Sequence, residues 1–204
     1  LLLLLHRALH AQRLVVAPLA ELGARARERG VRARVLLIGE ERPRELDLAG
    51  ELRRLDMEES TVMTGWVEEE RAHELLSAAD VCVNLRGPST GGASGGASQA
   101  FSLGRGVIVS DLPELNALPD GAVLRVPTDG GEAEALCEHI VQLAEDPSLA
   151  KEMGRAAQAY VEGQAHWSLV ADAYLEALAV SPTPRFSRRG IVRTAIAQSR
   201  AERG

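Results

Sequence analysis

The sequence predicts an α/β protein built on a Rossmann-like, mainly parallel sheet flanked by helices. Two patterns support this prediction. Apolar runs without polar alternation, such as RVLLIGE at 34–40 and GVIVSD at 106–111, are typical of strands that are buried on both faces. Stretches with helical apolar spacing separate these runs, and strands that alternate with helices form parallel sheets.

Five strands are predicted in one parallel sheet, at Arg34–Gly39, Val62–Thr64, Val81–Asn84, Val107–Val109 and Val123–Val126. Helices are predicted at 18–29, within LDLAGELRRLDM at 46–57, and at 67–79, 94–103, 132–145, 147–161 and 166–179, with a weak helix at 191–202. The opening LLLLLHRALHAQRLVVAPL has no Met and is too short for a membrane span. We interpret it as a helix of a chain that starts upstream.

Composition narrows the class of protein. The formal net charge of −6 argues against a nucleic-acid partner. Two separated cysteines, Cys82 and Cys137, indicate buried thiols in a reducing compartment and therefore a cytoplasmic location; a disulfide between them is the alternative. We expect a domain at 1–180 and a flexible basic tail at 181–204, with no transmembrane segment; peripheral contact with a membrane stays open.

The glycine-rich stretch TGGASGGASQAFSLG at 90–104 is the main functional signal. It follows the carboxyl end of a predicted strand, where parallel sheets bind their ligands. We expect residues 90–96 to form a flexible turn whose amides, chiefly those of Ser94, Gly95 and Gly96, face this cleft and hold a phosphate at a helix N-terminus. A mobile surface loop with no ligand is the alternative.

Other phosphate and nucleophile motifs are absent from the sequence. The sequence lacks the Gly-Lys-Ser/Thr ending of a P-loop. It also lacks the dinucleotide-binding fingerprint G-x-G-x-x-G after the first predicted strand. Ser94 does not fit G-x-S-x-G. The five histidines are scattered, so we expect surface or packing roles for them, and neither a metal nor a cofactor.

The order of segments resembles the C-terminal, donor-binding half of the GT-B retaining glycosyltransferases of family 4, the glycosyl transferases group 1. The resemblance covers about residues 18–179. It is carried by RVLLIGE, by TVMTGWVEEERAHELLSAADVCVNL, by GRGVIVSD, by ELNALPDGAVLRVP, and by a closing helix pair with Trp167 at the start of the last helix. In that family the last helix crosses towards the N-terminal domain, so part of the Trp167, Val170, Tyr174 and Leu178 stripe is expected to be exposed.

The resemblance implies a set of donor-binding residues: Gly39, Glu40, Trp66, Val67, Gly91, Gly92, Ser94, Gly95, Gly96 and Gln99. The two family glutamates fall on Gly91 or Gly92 and on Gln99, so both carboxylates are absent and no catalytic residue is assigned. Gln99 can still hydrogen-bond a ribose, and Trp66 can stack on a base or serve as an edge of the core. The family's basic Arg and Lys are expected upstream, with Arg86 as a substitute.

The resemblance therefore implies a metal-independent hexosyl-type transferase that moves a sugar from a nucleotide-diphosphate donor to an acceptor with retention. The acceptor-binding N-terminal domain would precede this part, which alone would be inactive. A non-enzymatic homologue that binds nucleotide sugars or acts as a scaffold is one alternative. An epimerase of the same architecture is another, but the glycine loop lacks the acid–base residues that it would need.

Overall fold

The computed structural model describes residues 2–6 by their backbone and residues 28, 30, 34–39, 47–86, 91, 92 and 94–180. These residues include a six-stranded sheet in which every pair of neighbours is parallel. Its strand order is β3-β2-β1-β4-β5-β6, which reverses direction between β1 and β4 and makes the sheet doubly wound. The strands are β1 (Leu2–His6), β2 (Arg34–Ile38), β3 (Thr61–Met63), β4 (Val81–Asn84), β5 (Gly106–Ser110) and β6 (Val123–Val126).

The opening leucine run is a strand, so its interpretation as a helix was wrong. Leu2–His6 pairs with β2 on one side and with β4 on the other, in the middle of the sheet. An uninterrupted apolar run of five residues is typical of such a doubly paired strand. The expectation that the family's basic residues lie upstream depended on the helical interpretation and loses its basis, because Arg7 and Arg13 follow this central strand in the sequence.

The predicted helices that fall on described residues occur with ends shifted by at most a few residues. They are α1 (Leu48–Arg54), α2 (Glu69–Ala78), α3 (Gly95–Ser102), α4 (Glu132–Glu145), α5 (Pro147–Tyr160) and α6 (Trp167–Val180), with 3₁₀ turns at Glu58–Ser60 and Pro113–Leu115 and a π-helical segment at Val161–Ala165. The predicted helix at 18–29, of which only residue 28 is described, and the predicted tail at 181–204 with its weak helix at 191–202 lie outside the described residues.

Both faces of the sheet are covered by helices. Alternate residues along each strand point to opposite faces, so Val35 and Leu37 of β2 join one core cluster while Leu36 and Ile38 join the other. The first cluster includes side chains of α1 and α4, and the second includes side chains of α2 and α3. Because side chains fill both faces, ligands are left with the edge of the sheet where the strands end.

The chain divides into two compact units, residues 1–164 and 165–204. The first carries the sheet, and within it Cys82 and Cys137 are buried thiols that are not joined by a disulfide, as predicted. The second carries α6, where Trp167 is 84% exposed and Tyr174 and Leu178 are exposed as well, which confirms the expected exposure of this stripe. Within the described residues, no helix is long and apolar enough to cross a membrane.

Helix α5 approaches the loop before β5 closely enough to require glycine. A Cβ built on Gly154 would collide with the carbonyl oxygen of Gly104, and one built on Gly106 would collide with Met153. The missing side chain of Gly106 leaves the room that Met153 occupies. This contact fixes α5 against β5, the strand that follows α3.

We predict that Gly154→Ala lowers the free energy of unfolding by roughly 1–3 kcal/mol, because the added methyl group must displace backbone. This loss exceeds the better helix propensity of alanine. Gly163→Ala is the matched control, since nothing lies within 4 Å of a Cβ added there. Urea unfolding of both variants measures the difference, and equal stabilities would contradict the close approach.

Candidate functional site

A cleft of about 290 Å³ opens at the carboxyl edge of the sheet. It brings together four of the predicted binding residues, Gly39, Trp66, Val67 and Gln99, which come from the ends of β2 and β3 and from α3. The remaining lining residues are Ile38, Glu68, Glu69, Ala72 and His73. Its volume lies near the lower end of the range for small-molecule pockets. Glu40 lies outside the described residues.

Two hydrogen-bonded glycines lie just after the neighbouring strands β2 and β3, and one of them, Gly39, lines this cleft. The Gly39 amide donates to the Gly65 carbonyl oxygen at 3.1 Å, which joins the residues that follow β2 and β3. Gly39 has φ of 134° and Gly65 has φ of 66°, which are values that favour glycine. The chain then turns so that Trp66 stands at the cleft with 64% of its surface exposed. An exposed indole at a cleft wall can stack on a planar ring.

Ser94 fixes the start of α3 at the end of β4. Its Oγ accepts a hydrogen bond from the Ala97 amide at 3.2 Å, as an N-cap residue does, and donates to Asn84 Oδ1 at 2.9 Å. Asn84 is the last residue of β4. The Ser94 side chain is buried, and its two hydrogen bonds hold the start of the helix in place.

The amides of Gly95 and Gly96 occupy the first two positions of α3, where N–H groups have no acceptor within the helix. Among the residues that the structure describes, nothing lies within 4 Å of a Cβ added at Gly95, so the space beside this backbone is open. The expected flexible turn over 90–96 was wrong for these two residues, because the Ser94 cap makes them helical. A helix N-terminus with open glycine amides is suited to an anion.

The site thus has two neighbouring parts on one edge of the sheet. Gly95 and Gly96 begin the helix that carries Gln99 one turn later, and Gln99 lines the cleft. Gly91 and Gly92 belong to the preceding loop and, like Ser94, Gly95 and Gly96, are not cleft-lining residues. The arrangement can hold an anion at the helix and a ring-shaped group in the cleft. Thr90 and Ala93 lie outside the described residues.

The contribution of α2 to the cleft was not predicted from the sequence. Glu68 and Glu69 at the start of α2 and His73 one turn later line it, and the two carboxylates are exposed. Acidic residues at a helix N-terminus are electrostatically favourable there, so the sequence offered a structural explanation for them. The signal that could have found them is that α2 starts just after β3 ends, at the same edge of the sheet.

The structure also shows the surroundings of the Cys82 thiol and of the Arg86 guanidinium. Burial raises the pKa of the Cys82 thiol to about 12, so it stays protonated near neutral pH and is a poor nucleophile. Arg86 directs its guanidinium to the glycine loop, where Nη1 donates to the Gly92 carbonyl oxygen at 2.9 Å. Among the residues that the structure describes, no group of three or more His, Cys, Asp and Glu side chains could hold a metal ion.

Comparison with known families matches this chain to a glycosyltransferase family. The model of the family described as glycosyl transferases group 1 matches residues 5–146, which run from β1 to the end of α4 and include the cleft and the glycine loop. The match covers more than half of the chain. Comparison with curated protein sequences finds no match.

Solved structures of glycosyltransferases share this fold. HepE (Alr3699) of Anabaena, in complex with UDP, superposes with a TM-score of 0.71 at 18% identity over 87% of this chain and 48% of its own. Sucrose-phosphate synthase of Thermosynechococcus elongatus superposes with a TM-score of 0.67 at 21% identity, over 88% of this chain and 46% of its own. The C-terminal domain of the group 1 protein LpcC of Francisella tularensis superposes with a TM-score of 0.63 at 14% identity, over 80% of this chain and 85% of its own. This chain spans about half the length of HepE and of sucrose-phosphate synthase. At these low identities the similarity shows a shared fold and no more.

We predict that Ser94→Ala lowers the free energy of unfolding by about 1–2 kcal/mol, because α3 loses its cap and Asn84 loses a buried partner. Ser98→Ala is the control: the exposed Ser98 hydroxyl donates to the Ser94 carbonyl oxygen at 3.0 Å and caps nothing. Denaturant unfolding monitored by circular dichroism compares the two. If Ser98→Ala costs as much as Ser94→Ala, the buried cap does not hold the helix.

Proposed function

This chain belongs to the glycosyl transferases group 1 family, and from that premise we propose that it is the C-terminal, donor-binding domain of a retaining glycosyltransferase. The donor would be a nucleotide-diphosphate hexose. The observation that carries the proposal is the pairing of an open helix N-terminus at Gly95 with a ring-sized cleft at Trp66 and Gln99 on the same sheet edge.

The diphosphate is assigned to the start of α3. Amides of the first helical turn and the positive end of the helix dipole favour a phosphate, and glycine at 95 leaves the backbone open to it. The same interactions favour a departing diphosphate, whose negative charge grows as the bond to the sugar breaks. No metal is required by this arrangement, so we expect donor binding to survive EDTA.

The nucleoside is assigned to the cleft. Trp66 offers an exposed ring for stacking, and the Gln99 amide can hydrogen-bond ribose hydroxyls. HepE, whose fold this domain shares, has been crystallised with UDP and with UDP-glucose. That likeness supports a nucleotide-sugar donor here and leaves the base to be determined.

The acceptor domain is proposed to lie in another part of the whole protein. HepE and sucrose-phosphate synthase are about twice as long as the region that this chain matches. We expect a domain boundary near 180, a tail at 181–204, and no activity from this part alone.

A non-catalytic binding homologue is the second candidate, and a specific observation favours it. Gly91 and Gly92, where the resemblance places the first family glutamate, carry no side chain, and Gln99 stands for the second. A loop of this kind retains a backbone suited to phosphate binding without a carboxylate of its own. Donor turnover by the whole protein separates the two candidates, since a binding homologue would hold the donor and release no nucleotide.

We predict that UDP, GDP or ADP binds this chain and that Gly95→Val weakens the binding roughly tenfold, because the valine side chain fills the space beside the helix N-terminus. Calorimetric titration measures the affinity, and a thermal melt measures the stability. Gly163→Val is the matched control, since that glycine also has open space beside it and lies away from the site.

Binding of none of the three nucleotides would contradict the proposed donor. Equal affinity of a folded Gly95→Val variant and the parent would contradict the placement of the diphosphate at α3. Loss of stability in that variant comparable to the loss of binding would also count against it, because binding would then have failed through misfolding.

A further inference from the structure

We propose that Arg86 and Glu114 form a two-sided clamp that positions the glycine loop, Gly91 and Gly92, before α3. Both would be positioning residues for the diphosphate cradle, which this loop forms together with the start of α3. The inference rests on the proposed function for what the cradle holds. The clamp itself rests on contacts that do not depend on any ligand.

One side of the clamp holds a carbonyl oxygen. Arg86 follows β4 by two residues, and its Nη1 donates to the Gly92 carbonyl oxygen at 2.9 Å. The Arg86 backbone amide donates to Ser110 Oγ at 2.8 Å, and Ser110, the last residue of β5, is buried. The arginine is thus tied to the ends of two core strands, which gives its guanidinium a fixed base.

The other side holds an amide. The Gly91 N–H donates to Glu114 Oε1 at 3.3 Å. Glu114 lies in the 3₁₀ turn Pro113–Leu115, which is anchored by the buried side chains of Leu112 and Leu115. The Gly91 N–H and the Gly92 C=O flank one short dipeptide, so a cation and an anion from two different segments hold it at both ends.

The glycine loop needs such a clamp for an entropic reason. Gly91 has φ of 70°, and among the described residues nothing lies within 4 Å of a Cβ added at Gly91 or Gly92, so no described side chain packs beside these two positions. Glycine loses more conformational freedom on ordering than any other residue. A ligand that had to order the loop itself would bind more weakly, and a loop that is already ordered avoids that loss.

The clamp is tested with Glu114→Ala, which removes the acceptor, and Glu114→Gln, which keeps an oxygen that can accept from Gly91. Glu74→Ala is the matched control, because Glu74 is an exposed glutamate paired with Arg71 on α2. Two readouts are measured on the full chain: hydrogen exchange of the amides of residues 91–98, and affinity for the tightest binder among UDP, GDP and ADP.

We expect Glu114→Ala to speed exchange in this segment and to weaken nucleotide binding roughly fivefold to tenfold, with a melting temperature within about 2 °C of the parent. Glu114→Gln is expected to stay within about twofold of the parent, and Glu74→Ala to match it. Arg86→Ala is expected to speed exchange as Glu114→Ala does, and the double variant to lose less than the sum of the two, since both hold one dipeptide.

Unchanged exchange in Glu114→Ala would overturn the clamp. Faster exchange with unchanged affinity would overturn the positioning role, and an equal loss in Glu114→Gln and Glu114→Ala would overturn the hydrogen bond as its basis. A parent chain that binds none of the three nucleotides would contradict the proposed function alone, because the exchange measurement would still decide whether the clamp exists.

Discussion

The pairing of β1 with β4 is the contact on which the rest of the sheet depends. Leu3 pairs with Val81, Leu4 with Cys82 and Leu5 with Val83, and these pairs join the half made by β3 and β2 to the half made by β5 and β6. Because all six strands run parallel, their carboxyl ends meet at one edge. The start of α3, the cleft and the glycine loop therefore lie along a single edge of the sheet.

Polar side chains at that edge turn a loop with little intrinsic order into a defined surface. Asn84 ends β4 and holds Ser94 by its hydroxyl, and Ser94 in turn caps α3. The helix start is thereby placed relative to the strand by two hydrogen bonds, one of them to a buried group. Such bonds are costly to leave unmade, so they select one arrangement of the chain although the glycines would permit many.

The alternation of apolar runs and helical stripes was sufficient to predict the fold class, five of the strands and the helices from 67 onward. β1 was missed because its leucines run into HRALHAQRLV, whose spacing also suits a helix, and only its pairing with β2 and β4 separates the two. Gly39, Trp66, Val67 and Gln99 do share one cleft. The flexible turn predicted at 90–96 overlapped the helix predicted at 94–103, and at Gly95 and Gly96 the helix was right. The hydrogen bond from the capping Ser94 to Asn84, ten residues away, could not be read from local composition.

The central claim, that this edge binds a nucleoside diphosphate with its phosphates on α3 and its base beside Trp66, is tested most directly by a nitrogen–proton correlation spectrum during titration with UDP, GDP and ADP. The account predicts that one of them shifts the amide signals of Gly95 and Gly96 together with the indole N–H signal of Trp66, with a single dissociation constant. Shifts confined to other parts of the chain, or saturation of the Gly95 and Trp66 signals at different concentrations, would contradict it.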